Sequence, residues 1–212
     1  MFQIVKWNHK EEKGIYKVSE KVSRYSRIKD IAEPMVKWLD ENNGKFPLPY
    51  TTAYAVSHCQ VEADPWAFFV LGYEFMVSNK PNRSKKDTTK NFYFPSQIIV
   101  NARILEAPEK LSVNKPVRKL VKKGGKIVPE ISIVPSEEKN LIGVPEACMS
   151  FLHRTQRTTE RYYRIKVRYQ YPRKILGMWF LWTKTEWVEG LKSHIFQHEI
   201  DHAEAKNMYF KN

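Results

Sequence analysis

The stretch Gln197-His198-Glu199-Ile200-Asp201-His202 carries the HExxH pattern near the end of a 212-residue chain. On an α-helix, residues four apart lie on one face, so His198 and His202 can grip one cation together. Glu199 then stands beside that cation, where it suits a base taking a proton from activated water. The pattern therefore demands a helix. Leu191, Ile195, His198 and His202 recur at helical period and supply its stripe. Its start is open between a capping box at Thr183-x-x-Glu186 and an entry at Glu189-Gly190. The bland alternative is two histidines packed in a core helix, but the full pattern rarely arises by chance in a chain of this length.

Two histidines leave a catalytic site short of a third ligand. None of His9, His58, His153 and His194 extends the pattern, and Ala203-Glu204-Ala205-Lys206-Asn207 follows His202. The third ligand is expected upstream, and the best candidate is Cys148 in Pro145-Glu146-Ala147-Cys148-Met149-Ser150. Cys148 and Cys59 could instead form one bridge. Two cysteines make no disulfide framework, however, and a reducing cytosol is the default expectation.

A formal net charge of +13 calls for an acidic partner, with nucleic acid or ribosome the obvious class, or else a basic surface without a specific target. Seven Lys or Arg and no acid lie between Lys110 and Lys126, and eight basic residues face one acid between Arg154 and Lys174. No apolar run reaches membrane-spanning length, and Met1-Phe2-Gln3-Ile4-Val5-Lys6 lacks signal-peptide architecture, so the expected location is cytoplasmic, without a membrane partner.

Along the chain, residues 1–12 read as a short strand and turn. Ile28, Ile31, Met35, Val36 and Leu39 predict a helix over Lys29–Asn42, ended by Asn43-Gly44. Strands are expected over 66–77, as a central strand, and over 92–105 with a break at Pro95. Residues 117–121 and 127–134 flank Gly124-Gly125 as a hairpin. Tyr163, Ile165, Val167, Tyr169 and Tyr171 alternate with polar residues as a half-buried strand, turned by Pro172-Arg173-Lys174 into a returning strand over 175–183. The order, β-rich chain and then one long helix, predicts an α+β fold with antiparallel or mixed sheets wrapped around a C-terminal helix that carries HExxH.

With Gln60, Glu146-Ala147-Cys148-Met149-Ser150 and His198-Glu199-Ile200-Asp201-His202 on the page, the chain resembles the peptide deformylases, metallohydrolases that remove the formyl group from N-formylmethionyl peptides. That family carries GxGxAxxQ, EGCLS and HExDH in this order. The third motif is matched in full, including the Gln before it. The second keeps Glu146, Cys148 and Ser150, with Ala147 for Gly and Met149 for Leu. In the first, Ala53, Ala55 and Ser57 replace Gly, Gly and Ala, and Gln60 is retained. The resemblance spans about 53–62 and 98–208. It implies one deformylase domain over 1–212 with a basic insertion at about 107–140. Short members without a C-terminal extension resemble those carried by bacteriophages, so the cytoplasm of an infected host cell is included in the expectation.

The resemblance implies a ligand set of Cys148, His198 and His202 for one divalent ion, Fe²⁺ natively, with Zn²⁺, Ni²⁺ or Co²⁺ able to substitute. It implies Glu199 as general base and acid, with the Gln60 side chain and the Met149 backbone N–H receiving charge on the formyl oxygen. Tyr54, Val144, Leu191, His194 and Ile195 match positions of the methionine pocket. Arg154 lies one position early for an arginine that contacts the peptide backbone. Partners would be N-formylmethionyl nascent peptides and, through the basic surface, the ribosome or its RNA. Two rivals stand beside this reading: an inactive deformylase fold that binds RNA or ribosome, favoured by the lost glycines, and an unrelated HExxH metallopeptidase cutting internal bonds.

Overall fold

A computed structural model describes residues 15–42, 55–61, 65–72, 96–123, 126–146, 148 and 157–206. The expected strand within residues 1–12 and the Gly124-Gly125 turn lie outside the described residues. Helix α1, Lys29–Asn42, has the predicted bounds. Ile28, Ala32, Met35 and Leu39 recur at helical spacing and are fully buried.

Strands β1 (Ala55–Ser57), β2 (Phe68–Leu71), β3 (Gln97–Glu106), β8 (Arg164–Ile175) and β9 (Met178–Glu189) form one antiparallel sheet in that order. Between β3 and β8 come two hairpin pairs. Strands β4 (Lys110–Lys123) and β5 (Lys126–Lys139) form one, and β6 (Leu141–Glu146) and β7 (Arg157–Tyr162) the other. Helix α2, Gly190–Ala203, closes the described chain.

Each face of the five-stranded sheet carries one helix. Val56, Phe68, Val70 and Val100 pack with the buried stripe of α1. Ala55, Phe69, Leu71, Ile99, Ile165, Val167, Tyr169 and Val188 pack with Phe196 and Ile200 of α2. All four side chains of β2 are buried because both its faces are covered, which explains its unbroken Phe-Phe-Val-Leu run. Fully burying each aliphatic side chain contributes roughly 1.5–3 kcal/mol.

Several boundaries differ from expectation. Of the strand expected over 66–77 the described part is β2 at Phe68–Leu71, and of that expected over 92–105 it is β3 at Gln97–Glu106; 73–77 and 92–95, with the break at Pro95, lie outside the described residues. The basic hairpin is longer than its apolar residues suggest, because ladder pairing continues through polar residues from Lys110↔Lys139 to Lys123↔Lys126. Strand β8 does not turn at Pro172-Arg173-Lys174. It runs to Ile175, and Leu176 (φ 48°) and Gly177 (φ 82°) make the two-residue turn. Positive φ at both positions suits the twist of a tight hairpin. The β3 ladder reaches no further along β8 than Gln170, so Pro172 sits where that edge lacks a β3 partner. Ile165, Val167 and Tyr169 are buried as expected, whereas Tyr163 precedes the strand and is exposed.

Asn140 locks the base of the basic hairpin to the core. Its Nδ2 donates to the carbonyls of Pro108 (2.6 Å) and Arg164 (2.8 Å), and its Oδ1 accepts from the Arg164 N–H (2.8 Å). The residue is completely buried, so the backbone groups it satisfies have no easy access to water. Asn140→Ala is expected to lower the unfolding free energy by about 2–4 kcal/mol, read as a lower urea midpoint.

Candidate metal centre

The α2 helix opens where Gly190, at φ +57°, turns the chain out of β9 and donates its N–H to the Tyr163 carbonyl (2.8 Å). The entry is thus at Glu189-Gly190, and Thr183 and Glu186 remain within β9. Gln197 clamps the helix to the end of β7: its Nε2 donates to the Tyr162 carbonyl (2.8 Å) and its Oε1 accepts the Tyr162 N–H (3.0 Å). The predicted apolar stripe is only partly observed. Leu191 is exposed, and Phe196 and Ile200 supply the buried apolar contacts instead.

That clamp sets the azimuth of His198, Glu199 and His202. Cys148, just beyond β6, meets the two histidines. Candidate ligand atoms of Cys148, His198 and His202 lie within 4.8 Å of one another. The His198 and His202 Nε2 atoms are 3.1 Å apart, and Cys148 Sγ is 3.3 Å from His202 Nε2. The rings stand nearly perpendicular, at 89°. Both cysteines are free thiols, so no bridge joins Cys59 to Cys148.

The donor set fits a metal. A tetrahedral ion with ligands at about 2.0–2.3 Å holds its donors roughly 3.3–3.8 Å apart, close to the spacing found here. His198 Nδ1 faces Glu146 Oε2 at 3.3 Å, which makes Nδ1 the protonated nitrogen and turns the Nε2 lone pair inward. Electron-rich atoms packed this closely need positive charge between them. Burial alone would push the Cys148 thiol up, but the His202 and His198 imidazoles bring it down to about 6. Burial opposes the charged form of His198, yet Cys148 and Glu146 raise its pKa well above the ordinary value.

Glu146 belongs to a buried charge clasp. Arg161 on β7 grips both its oxygens (Nε–Oε1 2.7 Å, Nη2–Oε2 3.0 Å) and reaches Asp201 of α2 (Nη1–Oδ2 2.5 Å). Burial would raise the Glu146 carboxyl, but hydrogen bonds from His198 and Arg161 hold it at about 2. Sequence reading missed Arg161 and weighed Arg154, which lies outside the described residues with Met149 and Tyr54. A cue existed: Glu146 and Asp201 are charged residues inside the two best-matched motifs and demand a counter-ion.

Gln60 closes the other side, on a 3₁₀ turn over His58–Gln60 after β1. Its Oε1 accepts the Ser57 N–H (2.8 Å), so its Nε2 points at Cys148 Sγ (3.6 Å). Glu199 is buried, and its Oε2 accepts a hydrogen bond from Ser57 Oγ (2.5 Å). Of the expected pocket residues, Val144 is half-buried on β6 and Leu191 lies exposed in the first turn of α2. Ile195 packs at the edge of the α2-side core, and half-buried His194 has its pKa lowered by burial.

The model of the polypeptide deformylase family matches residues 1–211. The chain belongs to the peptide deformylase family. No curated protein matches it. Solved structures similar to this deformylase include a class I type b enzyme from Acinetobacter baumannii, at 15% identity and TM-score 0.58, over 96% of this chain and 93% of that one. A Synechococcus elongatus deformylase in complex with actinonin has 13% identity and TM-score 0.58, over 100% and 79%. The Plasmodium falciparum enzyme has 18% identity and TM-score 0.53, over 97% and 83%. At these identities the structures show the shared fold, and the family match makes the chain a hydrolase of a metal-dependent family that acts on formylated nascent peptides. No helix among the described residues is long and apolar enough to cross a membrane.

Glu146 titrates near 2 when folded and near 4.5 when unfolded, so it contributes stability above pH 4.5 that vanishes as pH falls through about 2. The contribution is on the order of 3 kcal/mol. Arg161→Met leaves two carboxylates without their cation and is expected to lower stability at neutral pH by about 3–5 kcal/mol. The pH dependence of urea unfolding of the metal-free protein should show the variant losing structure at a higher pH than the parent.

Proposed function

We propose that this chain removes the formyl group from N-formylmethionyl peptides, with Cys148, His198 and His202 holding one divalent cation. The convergence of these three side chains beside Glu199 carries the reading. A thiolate with two imidazoles suits Fe²⁺, Zn²⁺, Ni²⁺ or Co²⁺, and the resemblance to the family points to Fe²⁺. Bound there, the cation supplies a Lewis acid that acidifies water and polarises the formyl carbonyl.

The chain's own groups do the rest. Glu199 takes a proton from the attacking water while the new C–O bond forms at the formyl carbon. Negative charge collects on the formyl oxygen, and the Gln60 Nε2–H receives it, since its Oε1 is already occupied by Ser57. By resemblance, the Met149 N–H is the second donor. The C–N bond then breaks, Glu199 returns its proton to the leaving amine, and formate departs. Glu146 orients the His198 ring through Nδ1, and Arg161 keeps Glu146 ionised for that task.

Tyr54, Val144, Leu191, His194 and Ile195 are proposed to form the methionine pocket, and Arg154 to touch the peptide backbone. We read the whole chain as one deformylase domain acting in the cytoplasm. The β4–β5 hairpin is its insertion, and the run of seven basic residues without an acid from Lys110 to Lys126 suits it to ribosomal RNA.

Glu199→Ala is expected to keep its metal and lose several orders of magnitude in formate release from formyl-Met-Ala; retained turnover would remove the base assignment. Cys148→Ala is expected to purify with little metal by elemental analysis, and normal loading would place the third ligand elsewhere. Release of internal peptide fragments instead of formate would replace this reading with a metallopeptidase.

A further inference from the structure

We propose that Ser57 is a positioning residue for the proton carrier: its hydroxyl holds one Glu199 oxygen throughout turnover and confines proton traffic to the other. The proposal rests on the reading of Glu199 as that carrier.

Ser57 ends β1, and Glu199 lies 142 residues further on, in α2. The Ser57 hydroxyl and Glu199 Oε2 are 2.5 Å apart, and both residues are almost fully buried, at 3% and 4% exposure. A charge-assisted hydrogen bond of this kind is roughly twice as strong as a neutral one. It also removes a rotamer choice. A glutamate side chain has three torsions, and a buried carboxylate with both oxygens free could swing away from the cluster. With Oε2 tied to β1, Oε1 is the oxygen left to face reactants.

The bond is compatible with both halves of the cycle. When the attacking water yields a proton, Oε2 already has the Ser57 proton pointing at it, so the new proton goes to Oε1. Protonated on Oε1, the carboxyl keeps Oε2 as a carbonyl-type acceptor, and the Ser57 O–H remains the donor. The proton on Oε1 then passes to the leaving amine, and the carboxylate returns to its starting state. Ser57 gains and loses nothing, so it positions and does not react.

The same residue also steers Gln60. The Ser57 N–H fixes Gln60 Oε1, and this turns Nε2 toward Cys148. One residue at the end of β1 therefore aims the proton carrier through its side chain and the amide donor through its backbone. The hydroxyl also serves the turn that carries Gln60, as the N-cap side chain of a capping box that accepts the Gln60 backbone N–H. In the first-motif comparison Ser57 stands where the resembled pattern has Ala, which can perform the backbone task alone. Ser57→Ala thus removes the bond to Glu199 and the side-chain cap of the turn, and leaves the backbone N–H that fixes Gln60 Oε1.

In the metal-loaded protein, Ser57→Ala is expected to lower kcat for formate release about tenfold, with KM and metal content unchanged. In the metal-free protein, Ser57→Ala is expected to lower the urea midpoint more when Glu199 is present than when Glu199 is already Ala, the excess reporting the Ser57–Glu199 bond. A kcat within twofold of the parent would overturn the proposal. So would an equal midpoint shift in both backgrounds, which would mark Ser57 as a packing residue only. Turnover retained by Glu199→Ala would instead remove the proton-carrier reading; the midpoint comparison, which needs no activity, would still report the Ser57–Glu199 bond.

Discussion

Three electron-rich side-chain atoms, one sulfur and two ring nitrogens, are held within 4.8 Å of one another in a buried site. Left alone, such a cluster repels itself and loses its hydration. The surrounding structure offsets that crowding. Glu146 accepts from the outer nitrogen of His198, Arg161 neutralises Glu146, and Asp201 completes the pairing from the same helix that carries the histidines. The charges thus alternate outward from the cluster, and each buried ion has a partner. A cation at the centre would continue the alternation inward.

The scaffold holds this arrangement through neutral amides as well as through charges. Gln197 ties α2 to β7, Asn140 ties the basic hairpin to β8, and Asn101 bonds Gln170 and both backbone groups of Val22. Asn101 adopts φ 51° at an irregularity in the β3–β8 ladder, a conformation that Asn tolerates better than most residues. Amides suit these junctions because one side chain both donates and accepts, so a strand end and a loop can be satisfied together. Such contacts bring parts of the chain far apart in sequence to fixed separations, which the metal centre requires.

Elements dominated by local periodicity were legible in the sequence. The bounds of α1 follow from its apolar spacing, and the alternation of Ile165, Val167 and Tyr169 marks a strand with one face in the core. Elements whose ends depend on neighbours were not. Pro172 reads as a turn, yet it lies in a strand because β3 has stopped pairing at that point. The basic hairpin extends well beyond 117–121 and 127–134 because its backbone ladder continues from Lys110↔Lys139 to Lys123↔Lys126. On α2 the histidines belong to one face, but the core contacts come from Phe196 and Ile200, offset from the expected stripe.

By itself the sequence determined the reactive groups. HExxH spacing requires two imidazoles and a carboxylate on one helix, and no other pattern in the chain offers that chemistry. Only the tertiary structure decided which upstream groups meet them. Cys148 was a candidate by residue type, but its 3.3 Å approach to His202 depends on how β6 and α2 are docked. The roles of Arg161 and Ser57 are not written in their own neighbourhoods: an arginine on one strand and a serine at the end of another look like solvent-facing or turn residues until their partners are placed. Hydrogen bonds and ion pairs act over a few ångströms in space, whereas sequence patterns report only neighbours along the chain, so these roles became readable only once the chain had folded.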